Sequence, residues 1–311
     1  MSTQGVYVTL DELTRLQYQA SGFSFLPRRS VHSLLSGRHT SRMRGRGLDF
    51  EELRGYLPGD DPRTIDWKVT ARTGKPHVRV YTEERDRPAM IVVDQRIGMF
   101  FGTSLNLKSV TAAQIAAAAA WRVAGAGDRI GAVVFDDSGI EEIAPHRSSQ
   151  TVLRILHALV EKNTALRADS PARPNPGMLN HVLRGVARYV SHDYLIVIVS
   201  DFDGADDETT RLVTRMAQHN DVIAMPVYDP SSQKLPATGR MVVSDGELQI
   251  EIDLGKKSSR RRLLDFAEGR LASVMAWQRK IGVPVMPMST AEDVMDQARR
   301  LLGRAASGVG R

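Results

Sequence analysis

The 311-residue chain has no cysteine. That excludes disulfides, thiolate catalysis and any zinc site built on sulfur ligands, and it fits a cytoplasmic protein. Aromatic residues are scarce, at 6%. No stretch approaches the ~18 consecutive apolar residues that a membrane helix needs. The most apolar helix candidate, 110–124, is mostly alanine and is interrupted by Gln114 and Arg122. The opening MSTQGVYVTLDEL has neither the basic region nor the apolar core of a signal peptide. The expectation is a protein without a membrane span, acting in the cytoplasm.

Several catalytic signatures are missing as well. No Gly-x₄-Gly-Lys-Ser/Thr run occurs, so ATP hydrolysis by the chain itself is not expected. Gly125-Ala126-Gly127 lies between a helix and a strand, the reverse of a dinucleotide-binding turn. The eight histidines fall at no metal-ligand spacing. Ser200 lacks the glycines of a nucleophile elbow. Acid is absent over one long stretch: from Leu13 to Leu48 there are seven arginines (Arg15, Arg28, Arg29, Arg38, Arg42, Arg44 and Arg46) and no Asp or Glu. Such an arm could lie along its own domain and pair with aspartates there, or meet an acidic protein partner. Few aromatics interleave with these arginines, which argues against nucleic acid.

Among what is present, LPGDDPRTIDWKVTARTG, residues 57–74, stands out. Pro58-Gly59 is a turn signal, and Asp60 and Asp61 can bond nearby backbone N–H groups. Pro62 restricts Asp61 to extended geometry. Ile65 and Trp67 are bulky and apolar amid Asp60, Asp61, Arg63, Asp66 and Arg72. The density of charge and bulk predicts a buried ion-pair network bracing a turn rather than a catalytic loop.

Along the rest of the chain, Thr9-Leu-Asp-Glu12 reads as a capping box opening a helix to about Ala20. Residues 23–48 read as irregular, and His77–Glu84 alternates like a strand with one buried face. A small, partly β N-terminal unit over 1–88 is therefore expected. From Ala89 the pattern becomes alternating βα units: strands at 89–94, 129–135, 140–143, 194–201, 222–227 and 283–286, with helices at 107–124, 150–162, 179–190, 207–219, 258–281 and from about 291. Residues 164–177 read as a loop. This rhythm predicts an α/β fold with a doubly wound, mostly parallel sheet over 89–303. Two alternating runs flank Asp245-Gly246 and predict an inserted β-hairpin at about 238–254. The tail 304–311 is expected to fray.

The segment GLDFEELRGYLPGDDPRTIDWKVTARTGKPHVRVYTEE (47–84), with VVDQRIGMFFG (92–102), GDRIGAVVFDD (127–137) and IVIVSDFDG (196–204), resembles the domain-of-unknown-function-58 family of the von Willebrand A-like group. The resemblance covers most of the chain from about residue 5 to about 290. It implies a doubly wound α/β domain, no established enzymatic activity, and association with MoxR-type AAA+ ATPases and companion von Willebrand A-like proteins.

In open α/β sheets ligands bind beyond the carboxyl ends of the strands. Asp94 ends one central run, and Ser200, Asp201 and Asp203 end another. Two converging carboxylates could hold Mg or Mn through oxygen. Von Willebrand A domains place a metal-dependent adhesion site here, built on Asp-x-Ser-x-Ser, a threonine and a later aspartate. Asp94 and Asp201 match the aspartates, but Arg96 and Gly98 stand at the serine positions, and Met178 aligns best with the threonine.

A guanidinium in that place suggests that Arg96 itself bridges Asp94 and Asp201 with charge-assisted hydrogen bonds. Its repulsion of a divalent ion at ~5 Å, with an effective dielectric near 20, is roughly 6–7 kcal/mol before screening. A degenerate adhesion site with no resident cofactor follows. Met99-Phe100-Phe101 is apolar for a strand-to-helix loop, and reads either as a buried plug or as a partner anchor. The leading expectation is a non-enzymatic adaptor or scaffold, its binding face formed by Asp94, Arg96, Met99, Phe100, Phe101, Ser200, Asp201 and Asp203. A metal-dependent hydrolase at Asp94 and Asp201, and a nucleic-acid binder using the 13–48 arginines, are the alternatives.

Overall fold

A computed structural model describes residues 5–20, 48–83, 87–167, 174–230, 240–244, 249–253 and 269–307. The chain divides into two compact units. The larger is built around a six-stranded sheet. Its strands are β3 (Ala89–Asp94), β4 (Ile130–Phe135), β5 (Ile140–His146), β6 (Leu195–Ser200), β7 (Asp221–Tyr228) and β10 (Met288–Ser289). They lie in the order β10-β7-β6-β3-β4-β5. All pairs are parallel except β4 with the edge strand β5. The mostly parallel, doubly wound sheet expected from the alternating units is present.

Apolar period-two patterning sorts this sheet into two faces. Ile91, Val93, Ala132, Val134, Val197 and Val199 enter one core. Met90, Val92, Val133, Ile196 and Ile198 enter the other. Continuous apolar strands are what a sheet covered on both sides requires. Helices α3 (Lys108–Gly125), α4 (Ser149–Ala165) and the last helix pack on the first face, and α5 (Met178–Tyr189) and α6 (Asp207–Ala217) on the second. The run of alanines in α3, fully buried from Ala116 to Ala118, lets its backbone approach the strands closely.

Several boundaries differ from the sequence reading. Helix α1 (Leu10–Gln19) was expected in the N-terminal unit, yet it clusters with the α/β unit. Leu13 and Leu16 are buried there, and the Trp121 indole donates to the Leu13 carbonyl at 3.1 Å. The capping box is half made. Thr9 Oγ1 accepts from Glu12 N, while the Glu12 carboxylate accepts from Gln114 Nε2 at 2.6 Å.

The predicted strand at 283–286 is a single bridge from Val285 to Ala224, and the paired residues are Met288 and Ser289. The helix expected to 281 is interrupted at Ala276, with only Trp277–Lys280 (α7) following; residues 258–268 lie outside the described ones. The last helix, α8 (Val294–Ser307), runs into the tail expected to fray, where Arg304, Ala305 and Ala306 are good helix formers. In the expected loop 164–177, α4 continues to Ala165, and 168–173 are not described. The hairpin is present as β8 (Arg240–Ser244) and β9 (Gln249–Asp253), antiparallel; its Asp245-Gly246 turn lies outside the described residues. So do Arg28, Arg29, Arg38, Arg42, Arg44 and Arg46. Arg15 is exposed on α1 and pairs with Asp11 at 2.7 Å.

The smaller unit pairs β1 (Leu48–Gly55) antiparallel with β2 (His77–Glu83). Between them run a 3₁₀ turn (Pro62–Thr64) and the short helix α2 (Trp67–Thr73). β1 is absent from the sequence reading because its pairing shifts register between Phe50 and Glu52. Such a bulge breaks the period-two signal.

Candidate functional site

Strands β3 and β6 are neighbours, and the chain crosses to opposite sides of β3 after β3 and after β5. This switch point is where open α/β sheets form a crevice at their carboxyl ends. Asp94 and Asp201 both lie there, as expected. Asp94 is fully buried. Its Oδ1 accepts from Arg96 N and Nε, each at 3.0 Å. Its Oδ2 accepts from Arg96 Nη2 at 2.7 Å and Ser200 Oγ at 2.6 Å. Ser200 Oγ in turn accepts from Phe202 N at 2.8 Å. Ser200 is thus an internal strut joining the two strand ends, not a surface contact.

The expected bridge by Arg96 is corrected in one respect. Its fork closes on Asp94 alone, and Asp201 Oδ1 lies 4.0 Å from Nη2. The remaining donors go to backbone oxygens, Asp203 O at 3.0 Å and Asn175 O at 3.3 Å. The guanidinium carbon also lies 5.7 Å from the centre of the Phe135 ring. Asp201 is neutralised instead by Lys108 Nζ at 2.5 Å, with Arg270 Nη1 at 3.7 Å. Arg270 Nη2 reaches Asp203 at 2.5 Å. Burial alone would push the Asp201 carboxyl up; Lys108, then Arg270 and Arg96, outweigh it and hold it well below the usual carboxylate range. Burial would likewise lower Arg96, but Asp94, Asp201 and Asp203 raise it further above its ordinary value.

The loop after β6 is held in an unfavourable conformation. Phe202 has φ 57°, the left-handed region that a bulky residue rarely adopts. Its fully buried ring meets Trp277 edge-on at 5.4 Å. Gly204 has φ 76°, and a Cβ there would stand 2.4 Å from Pro176 O. Across the crevice, Asp137 Oδ2 accepts from Ile97 N at 2.6 Å and Oδ1 from Asn175 N at 2.7 Å. Arg96, Lys108, Asp137, Asp201, Asp203 and Arg270 line a cleft of about 220 Å³.

The donor set does not suit a divalent cation. The Asp94 oxygens are filled by N–H and O–H donors, and a guanidinium sits within hydrogen-bond distance of both. Among the described residues no group of three or more His, Asp or Glu side chains converges to hold an ion. Gly98 and Met178 offer no hydroxyl.

The family model for the protein of unknown function DUF58 matches residues 52–272. The chain belongs to this family. The uncharacterized proteins Rv1480 of Mycobacterium tuberculosis and Mb1516 of Mycobacterium bovis are each 29% identical over 288 residues, spanning 91% of this chain and 87% of theirs. A conserved hypothetical protein, BatB, from Bacteroides thetaiotaomicron aligns over 71% of this chain and 100% of its own, at 9% identity and TM-score 0.41. A von Willebrand factor type A protein from Catenulispora acidiphila aligns over 73% of this chain and 43% of its own, at 12% identity and TM-score 0.35.

The DUF58 chain places the remaining predicted residues as follows. Met99 is fully buried, so it is plug rather than anchor. Phe100 is half-buried with its ring 5.8 Å from Tyr7, and Phe101 is 43% exposed. Lys108, Asp137 and Arg270 were missed. Lys108 carried a signal: a cation at the first position of a helix opposes the macrodipole and calls for an anion nearby. Asp137 ends a third run, VVFDD, at the same rim.

The DUF58 signature segment departs from expectation. Among the described residues its aspartates divide between one ion pair and helix capping. Asp60 pairs with Arg54 at 2.7 and 2.8 Å. Asp61 caps the 3₁₀ turn through Arg63 N, and buried Asp66 caps α2 through Lys68 N and Val69 N. Arg63 and Arg72 are exposed, and Trp67 is 70% exposed. Capping engages Asp61 and Asp66, two of the three carboxylates for which ion pairing was expected.

Proposed function

We propose that this protein is a non-enzymatic interaction module, acting in the cytoplasm as an adaptor for a MoxR-type AAA+ ATPase and other von Willebrand A-like proteins, with a degenerate metal-dependent adhesion site at its rim. The observation that carries this reading is the saturation of Asp94 by Arg96 and Ser200. The protein's own cations occupy the place where an adhesion site would keep its ion. The same saturation speaks against a hydrolase, because Asp94 has no lone pair left to act as a base and Asp201 is held charged by Lys108. Partner binding then rests on the rim's exposed groups, with Phe101 and Leu105, 43% and 53% exposed, as its apolar contacts. Among the described residues no helix is long and apolar enough to cross a membrane.

The test is co-purification of the full chain with the MoxR-type ATPase of its own cell. Phe101→Ser should abolish capture while leaving thermal stability unchanged. Capture retained by that variant removes the rim from the interaction. Met99→Asp is unsuitable, since it would bury a charge in the core. A second arm restores the hydroxyls. Arg96→Ser with Gly98→Ser should gain Mg²⁺ binding by calorimetry, because a Cβ at Gly98 stands 3.8 Å from Asp201 Oδ2 and has room.

A further inference from the structure

The small unit carries a surface that the rim reading does not use. Three of its large apolar side chains face solvent: Trp67 is 70%, Leu57 58% and Leu53 39% exposed. The three lie on one continuous framework. Leu53 is on β1, Leu57 just follows it, and Trp67 opens α2 directly after Asp66, whose N–H bonds the His77 carbonyl on β2. Gly55 pairs with the same His77, so the residues leading to Leu57 and to Trp67 flank one end of β2.

Uncommitted charge over residues 57–75 is one-sided. The acids of the segment are occupied internally: Asp60 by Arg54, Asp61 and Asp66 by helix capping. The cations are not. Arg63, Lys68, Arg72 and Lys75 are all exposed, and none forms an ion pair among the described residues. A solvent-facing tryptophan in a segment with four exposed cations and no uncommitted acid is costly to leave in water and has the composition of an interface centre.

We propose that this face of the small unit docks an acidic protein segment that inserts an apolar side chain against Trp67. The leucines favour protein over nucleic acid. Bases stack on aromatic faces and their backbones follow cations, but Leu53 and Leu57 would add nothing to either contact. The cations select an acidic partner and reject a basic one. The residues named here differ from those of the rim around Asp94, and different variants test the two proposals.

The test uses the full-length chain, immobilised, with a displayed library of random short peptides. The expected result is enrichment of peptides in which Asp or Glu flanks Phe, Trp or Leu. Synthetic copies should bind at least tenfold more weakly to Trp67→Ala and to the Lys68→Glu/Arg72→Glu variant. Circular dichroism confirms that both variants fold. Selected peptides that are basic, or that bind Trp67→Ala equally well, overturn the proposal. So does a single-stranded oligothymidine that binds more tightly than any selected peptide and is lost in the same variants.

Discussion

The rim and the signature segment use similar residues to opposite ends. At the rim, Asp94, Asp201 and Asp203 each meet a cation from their own chain, and the apolar Met99 turns inward. In the signature segment the aspartates cap helices or pair with Arg54, while Trp67 and four cations turn outward. The same density of Asp, Arg and aromatic groups therefore means closure in one place and display in the other. What separates them is whether the carboxylate heads a short helix or ends a packed strand. At a short helix N-terminus the N–H groups win. At the ends of packed parallel strands, where burial makes an unpaired charge expensive, the cation is required.

This contrast can be broken most forcefully at Arg96. Arg96→Ala leaves Asp94 buried without its charge partner, and should cost about 3–5 kcal/mol in urea unfolding. Arg96→Lys should recover only part of that loss, since an ammonium cannot fork the carboxylate. A similar loss, about 3–5 kcal/mol, is expected for Trp277→Ala, which empties the pocket that holds Phe202 in its left-handed conformation. Trp67→Ala, the same change at the exposed site, should stay within about 0.5 kcal/mol.

Lys108→Met comes next, read through pH. The folded-state value of Asp201 lies below its unfolded value of about 4. The stability it contributes is therefore full above about pH 4 and lost as pH falls through the folded value. Removing Lys108 raises that folded value, so acid unfolding should begin at higher pH than in the natural chain. An unchanged acid midpoint would show that Arg270 and Arg96 alone hold the charge.

Smaller still are effects confined to the small unit. The Asp60 carboxyl is lowered to about 2 by the hydrogen bond from Arg54, and Arg54→Ala should return it toward 3.8 in an NMR titration. Quenching sharpens the same comparison. Trp121 and Trp277 are 8% and 4% exposed, so external quenchers report Trp67. With Arg63, Lys68, Arg72 and Lys75 exposed in the same segment, iodide should quench more than caesium at low salt, and the difference should shrink as salt is added. Equal quenching would place those cations away from the indole.

Much of the fold was legible because parallel strands buried on both faces must be continuously apolar. AMIVVD and LIVIVS can be little else, and Asp94 at the end of the first and Asp201 just after the second marked the rim. Strand β1 was not legible, since its bulge destroys the alternation that would reveal it. The pairing of Asp201 with Lys108 was hidden for a different reason: it joins residues 93 apart in sequence, and only the adjacency of β3 and β6 brings them together. The exposure of Trp67 was misread because a bulky residue among charges suggests burial. The decisive fact, that the aspartates serve as caps, depends on helices only a few residues long.

The claim on which the functional account rests is that the chain's own arginine, not an ion, neutralises Asp94. Isothermal titration of the full chain with Mg²⁺ and Mn²⁺ tests it directly. The account predicts no saturable heat for the natural chain at concentrations that fill ordinary carboxylate sites. Stoichiometric binding of one ion, abolished by Asp94→Ala, would contradict it.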